Sequence, residues 1–197
     1  MADPLYFSVW FPDFDEADML PLAISVMKQF PFSEQRPGIT YLSVHPVSWN
    51  EATVLERRFT PGITPEEAAL VASELLHDDY AYGFEAFWDL WILDPNLRQW
   101  SLQPTAVQFL VQGVEFGEQT SVETGHIQVD MGLDSPFLGE TDSLTLEGEE
   151  RIRLNVQKLV EFTLKVEKNV GATARLLWSD SEDNLAQKLI ARLQRVQ

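Results

Sequence analysis

The chain has 197 residues, 45% of them hydrophobic, enough for one large domain or two small ones sharing a sheet. Its 31 acidic residues against 14 basic leave a net charge of −17. Such a surface repels nucleic-acid backbones and anionic membranes and favours a basic protein partner or a cationic ligand at encounter. There is no cysteine, which excludes disulfides, thiolate catalysis and cysteine-ligated metal centres.

Leu5–Phe11 alternates Leu5, Phe7, Val9 and Phe11 against Tyr6, Ser8 and Trp10, the period of a strand. This opening run lacks a basic segment and meets Pro12 and then acids, so it does not read as a signal peptide. No stretch approaches the ~18 apolar residues of a spanning helix, and the expected setting is cytoplasmic. Asp13, Asp15 and Asp18 are candidate caps for the next helix. Proline is tolerated in a first turn but not deeper, so Pro21 favours Asp18 and a helix from Met19 to about Phe30. Arg36-Pro37-Gly38 is a turn, and Ile39–Val47 and Ala52–Phe59 read as a hairpin joined through Ser48–Glu51. Thr64-Pro65-Glu66-Glu67 sets a threonine N-cap, a proline at N1 and a glutamate at N3, opening a helix that runs to about Leu76.

Tyr80–Leu93, YAYGFEAFWDLWIL, is the stretch around which a sheet would be built. Tyr82, Phe84, Ala86, Trp88, Leu90 and Ile92 form one apolar alternate set, while Glu85, Phe87, Asp89, Trp91 and Leu93 mix acids with aromatics on the other. Gly83 is expected to mark a bulge or bend in so long a strand. Residues 94–104 read as a connector, followed by strands at Ala106–Phe116 and His126–Leu133. Ser135–Glu149, rich in glycine, hydroxyls and acids, is expected to be a mobile loop. A helix over Arg151–Val170 ends at Gly171, Ala174–Trp178 is a short strand, and Asp180–Asp183 caps a last helix carrying Leu185, Leu189, Leu193 and Val196. The resulting expectation is an α+β protein with a mainly antiparallel sheet and helices packed on one face. Residues 1–93 give the βαββαβ order of a ferredoxin-like unit and residues 105–197 give ββαβα, either as two halves or as one continuous domain.

Carboxylates beside tryptophans suit sugar sites, which makes Glu85, Asp89 and Trp91 the candidate ligand-binding residues. Glu85 and Asp89 stand four residues apart on a strand, hence roughly 13 Å between Cα atoms. That is too far for the ~5–9.5 Å of a glycosidase pair, so no catalytic residue is assigned. His45, His77 and His126 sit in no metal-ligand spacing, and the clusters Asp13–Asp18 and Asp180–Asp183 do not match a calcium loop and suit helix caps. No metal and no cofactor are expected. No nucleophile elbow or phosphate loop occurs. Of six tryptophans, Trp49 in a hairpin loop and Trp100 in the connector are least easily placed in a core, which makes them candidate protein-interface residues. The leading expectation is a non-enzymatic protein-binding module with a basic partner, a charge that would suit an inhibitor or immunity-type protein. The rival is a small-molecule or carbohydrate-binding protein or enzyme whose pocket lies over Glu85, Asp89 and Trp91 and is lidded by residues 135–149.

Overall fold

A computed structural model describes residues 2–94, 96–139, 145–180 and 183–194. Strand β1 (Pro4–Trp10) leads to helix α1 (Glu16–Met27), the hairpin of β2 (Ile39–Pro46) and β3 (Leu55–Ile63), and helix α2 (Pro65–Ser73). The long pair β4 (Tyr80–Asp94) and β5 (Gln99–Gln112) follows, then a 3₁₀ turn (Phe116–Glu118), α3 (Ser121–Thr124) and β6 (Ile127–Leu133). Helices α4 (Ser135–Leu138) and α5 (Leu146–Asn169), strand β7 (Ala174–Ser179) and helix α6 (Leu185–Gln194) complete the described chain. All seven strands share one antiparallel sheet in the order β3-β2-β4-β5-β6-β1-β7.

Strand alternation decides which side chains meet. One cross-strand row runs Val9, Ile127, Val111, Tyr82 and Val44, and the next runs Phe7, Val129, Phe109, Phe84 and Leu42. Every one of these is buried. Met19, Ala23 and Val26 of α1, Ala68 and Ala72 of α2, Val156, Leu159 and Phe162 of α5, and Leu185 and Leu189 of α6 join them in a single core. Phe30 is the hub of an aromatic cluster, its ring 5.2–5.4 Å from those of Trp88, Phe109 and Phe162. The sheet is thus covered by long helices on one face, and the α+β class follows.

The strand order is not that of a ferredoxin-like unit. Such a unit pairs its first strand within itself, whereas β1 lies between β6 and β7. The reason is local. β4 has two edges, of which β2 takes one and β5 the other, and β5 arrives through a turn too short to let any other strand intervene. In that turn the Asp94 carboxylate accepts the Asn96 and Leu97 N–H groups, and Arg98 N–H donates to Asp94 O at 2.8 Å. Closing a short loop is entropically cheaper than a long-range pairing. Residues 99–104, expected as connector, are therefore the first part of β5.

Helix ends follow capping chemistry. α2 starts as its sequence dictates, with Thr64 and Glu67 in a reciprocal box behind Pro65. α1 starts one turn earlier than expected, capped by Asp15 instead of Asp18. The Asp15 carboxylate accepts Ala17 and Asp18 N–H, and the Asp18 carboxylate accepts Asp15 N–H. The reciprocal box satisfies two N–H groups at this end, and Pro21 is accommodated inside the helix at the loss of one helical bond. α5 begins at Leu146 under a Thr145 cap, five residues ahead of the expected start. Of the expected loop 135–149, residues 135–138 are α4 and residues 140–144 lie outside those described. Residues 181–182 of the last expected cap, and Val196, lie outside them too.

Gly83 introduces no bulge, since β4 pairs β5 without interruption from Ala81 to Asp94. Its missing side chain makes room for Ser43 Oγ, which an added Cβ would meet at 2.6 Å.

Candidate binding face

Pairing of β4 with β2 ends at Ala86, and β6 covers β5 only from Gln108 onward. Residues 87–94 of β4 and 99–107 of β5 therefore extend past their neighbours as a two-stranded arm. The free edge of β4 along this arm is sealed by side chains and a loop. Asn155 accepts Trp91 N–H at 2.8 Å and donates to Trp91 O and Pro136 O, both at 2.8 Å. Lys158 donates to Asp89 O, and Ser33 N–H to Phe87 O at 2.6 Å.

Opposite the core, the second alternate set of every strand faces away from the long helices. One row crosses all seven strands: Trp178, Tyr6, Asp130, Gln108, Glu85, Tyr41 and Arg58. A parallel row holds Leu176, Ser8, Gln128, Leu110, Gly83, Ser43 and Glu56. At ~4.8 Å per strand the row is ~29 Å long, which spans a protein contact. On the arm, the register continues this face with Trp91 opposite Leu102 and Leu93 opposite Trp100. Leu93 and Leu102 are 42% and 43% exposed, and Leu97 in the turn is 73% exposed.

The candidates from sequence are distributed unevenly. Glu85 is half-buried in the seven-strand row, where Thr40 Oγ1 donates to its carboxylate at 2.9 Å. Asp89 is buried and structurally engaged: Ser33 Oγ donates to it at 2.6 Å and Glu34 N–H at 3.2 Å, tying the loop after α1 to β4. Trp91 lies on the arm with the Arg151 guanidinium 3.7 Å above its ring. Trp100 is on the same arm, half-buried against the core. Trp49 is 42% exposed and sits at the far end of the sheet, edge-on to Phe116 and His45 at 4.9 and 4.8 Å. The fold thus gathers Glu85, Trp91 and Trp100 on one side of the long hairpin and leaves Trp49 apart.

Asp130, Tyr6 and Trp178 had no local signal as a group, because they come from three strands far apart in the chain. Tyr6 and Trp178 rings are 4.6 Å apart and tilted by 33°, and the Trp178 indole N–H donates to Ser8 Oγ at 2.9 Å. Burial, and then the negative charges of Asp130 and Asp180, hold the Tyr6 hydroxyl pKa above its ordinary value. Burial, then a hydrogen bond with Glu56, does the same for Tyr41. His45 bonds Ser43 Oγ through Nε2 at 2.9 Å, and burial lowers its pKa. Among the described residues no three histidine, aspartate or glutamate side chains converge as metal ligands, and no helix is long and apolar enough to cross a membrane. No family model, curated protein or solved structure matches this chain.

Proposed function

We propose that the chain is a non-catalytic protein-binding module that takes a basic partner on the open face of its sheet. The observation carrying this reading is the arm, where Leu93 and Leu102 stand exposed beside Trp91, with Leu97 exposed in the turn, on the face that three rows further along β4 holds Glu85 in line with Asp130. Apolar side chains in the centre of an interface supply affinity. Carboxylates further along the same face, on a molecule of charge −17, select and steer a basic partner. The test is capture of partners from a host lysate at low and then high salt by wild type, by Leu93→Asp/Leu102→Asp, and by Leu70→Asp. Leu70 is 71% exposed on α2, away from the open face, and serves as the control. A basic protein held stoichiometrically, lost in the arm variant and retained by Leu70→Asp, supports the reading. Capture that ignores the arm variant rejects it.

One spacing favours a second reading. Glu85 and Asp130 flank Gln108 in the same row, ~10 Å apart at the backbone. Side chains leaning together reach the ~6.5–9.5 Å of an inverting glycosidase, and Tyr41 and Tyr6 lie outside them as stacking rings. Glycan binding or cleavage by the wild type, abolished in Glu85→Gln, would replace the protein-binding reading with this one.

A further inference from the structure

The chain repeatedly covers its own aromatic rings with arginine. Arg36 lies 3.6 Å above Phe87, Arg151 3.7 Å above Trp91, Arg58 5.2 Å from Tyr41 and Arg57 5.8 Å from Phe59. Three of these rings, Phe87, Trp91 and Tyr41, belong to the open face. None of the cation–ring contacts among the described residues involves Tyr6 or Trp178, the paired rings at the β1–β7 end of the same row. What neighbours them is a carboxylate: Asp130 stands directly across from Tyr6.

We infer that the corner formed by Tyr6, Trp178 and Asp130 receives an arginine side chain of the basic partner. The inference rests on the reading of the open face as that partner's docking surface. A guanidinium is planar and weakly hydrated, so it stacks on an aromatic face while donating to a carboxylate. Both halves of such a receptor are in place. The Trp178 ring is oriented by its bond to Ser8 Oγ, and Tyr6 packs on it. Asp130 is oriented by Gly132 N–H, which donates to Oδ1 at 2.8 Å, leaving Oδ2 to accept from a ligand. The exposed carboxylate of Asp180, which follows β7, adds negative charge near Tyr6. At the other end of the row Tyr41 has the same chemistry satisfied from within, by Arg58 above it and Glu56 bonded to its hydroxyl.

The test follows the Trp178 indole N–H resonance of the full chain, assigned with Trp178→Phe, during titration with N-acetyl-arginine amide and with its neutral isostere N-acetyl-citrulline amide. The arginine probe should give a saturable shift and the citrulline probe none over the same range. Asp130→Asn keeps the shape and the Gly132 contact, and should weaken the arginine probe about threefold to fivefold. Tyr6→Leu should do likewise. Equal shifts from the two probes, or unchanged arginine binding in Asp130→Asn, would overturn the inference. Partner capture in the same variants separates it from the proposal on which it rests. Capture that depends on Leu93 and Leu102 but survives both substitutions leaves the docking face and removes the arginine site. An arginine-specific shift with no captured partner removes the docking reading instead.

Discussion

His126 lies flat on Phe14, ring centroids 4.2 Å apart and planes within 4°, and its Nδ1 accepts the Phe11 N–H at 3.0 Å. That bond requires the neutral ring, and burial lowers the pKa below the ordinary 6.5. A base with a depressed folded-state pKa binds fewer protons folded than unfolded. Its contribution to stability is therefore complete above about pH 6.5 and is lost as pH falls below it. His45 acts in the same direction, lowered by burial against an opposing pull from Glu56. Glu66, Glu67 and Glu150 are held below the ordinary carboxylate value by hydrogen bonds involving Lys28, Thr64 and Arg153, and act only in more acid solution. We expect the melting temperature to fall between pH 7.5 and 5.5, and to fall less in His126→Gln, whose amide oxygen accepts from Phe11 without titrating. An equal fall in the variant would assign the pH sensitivity elsewhere. From the sequence, His126 is legible only as a surface or hydrogen-bonded histidine. Its partners lie over a hundred residues upstream, and nothing local announces them.

The arm of β4 and β5 is held at one buried amide. Asn155, 1% exposed, makes three bonds, two of them to the free edge of β4 at Trp91. Truncation leaves the Trp91 N–H and O and the Pro136 O without those partners, and each buried unsatisfied group costs ~1–3 kcal/mol. Asn155→Ala should therefore destabilise the protein by ~3–4 kcal/mol. In native-state hydrogen exchange it should also deprotect the Trp91 amide more than the Phe84 amide, which sits between β2 and β5. Uniform loss of protection would mean that Asn155 supports global packing and not the arm. Much of this element is legible beforehand. The alternation of Tyr80–Leu93 assigns Trp88 and Leu90 to the core and Asp89 and Trp91 to the other face, where the register puts them. What alternation cannot supply is the partner: Asp89 looks like a ligand-site acid until the fold delivers Ser33 and Glu34 to it. The connector reading of 94–104 failed because Pro104 and the polar Gln99, Ser101 and Gln103 mask a strand whose outer edge pairs with no described strand along the arm.

At the scale of the whole molecule, the charge of −17 is legible without a structure, but its consequence depends on where the apolar surface lies. The register that puts Asp130 and Glu85 in one row with the Tyr6–Trp178 pair, on the face continued by the arm, separates two roles that sequence merges. Under the proposed function, charge acts at a distance and steers the basic partner before contact. Leu93 and Leu102 act only after water is expelled. The two terms have different kinetic signatures, since long-range attraction raises the association rate and is screened by salt, while short-range packing sets the dissociation rate. The screening length falls from ~30 Å at 0.01 M, about the length of the seven-strand row, to ~8 Å at 0.15 M salt, under two strand spacings. With the captured partner, association should therefore slow by about tenfold or more across that range while dissociation changes little. Leu93→Asp/Leu102→Asp should chiefly accelerate dissociation, by the equivalent of ~1–3 kcal/mol. An association rate indifferent to salt would mean that the acidity serves solubility alone, and that whatever the open face binds is recognised by shape and not by charge.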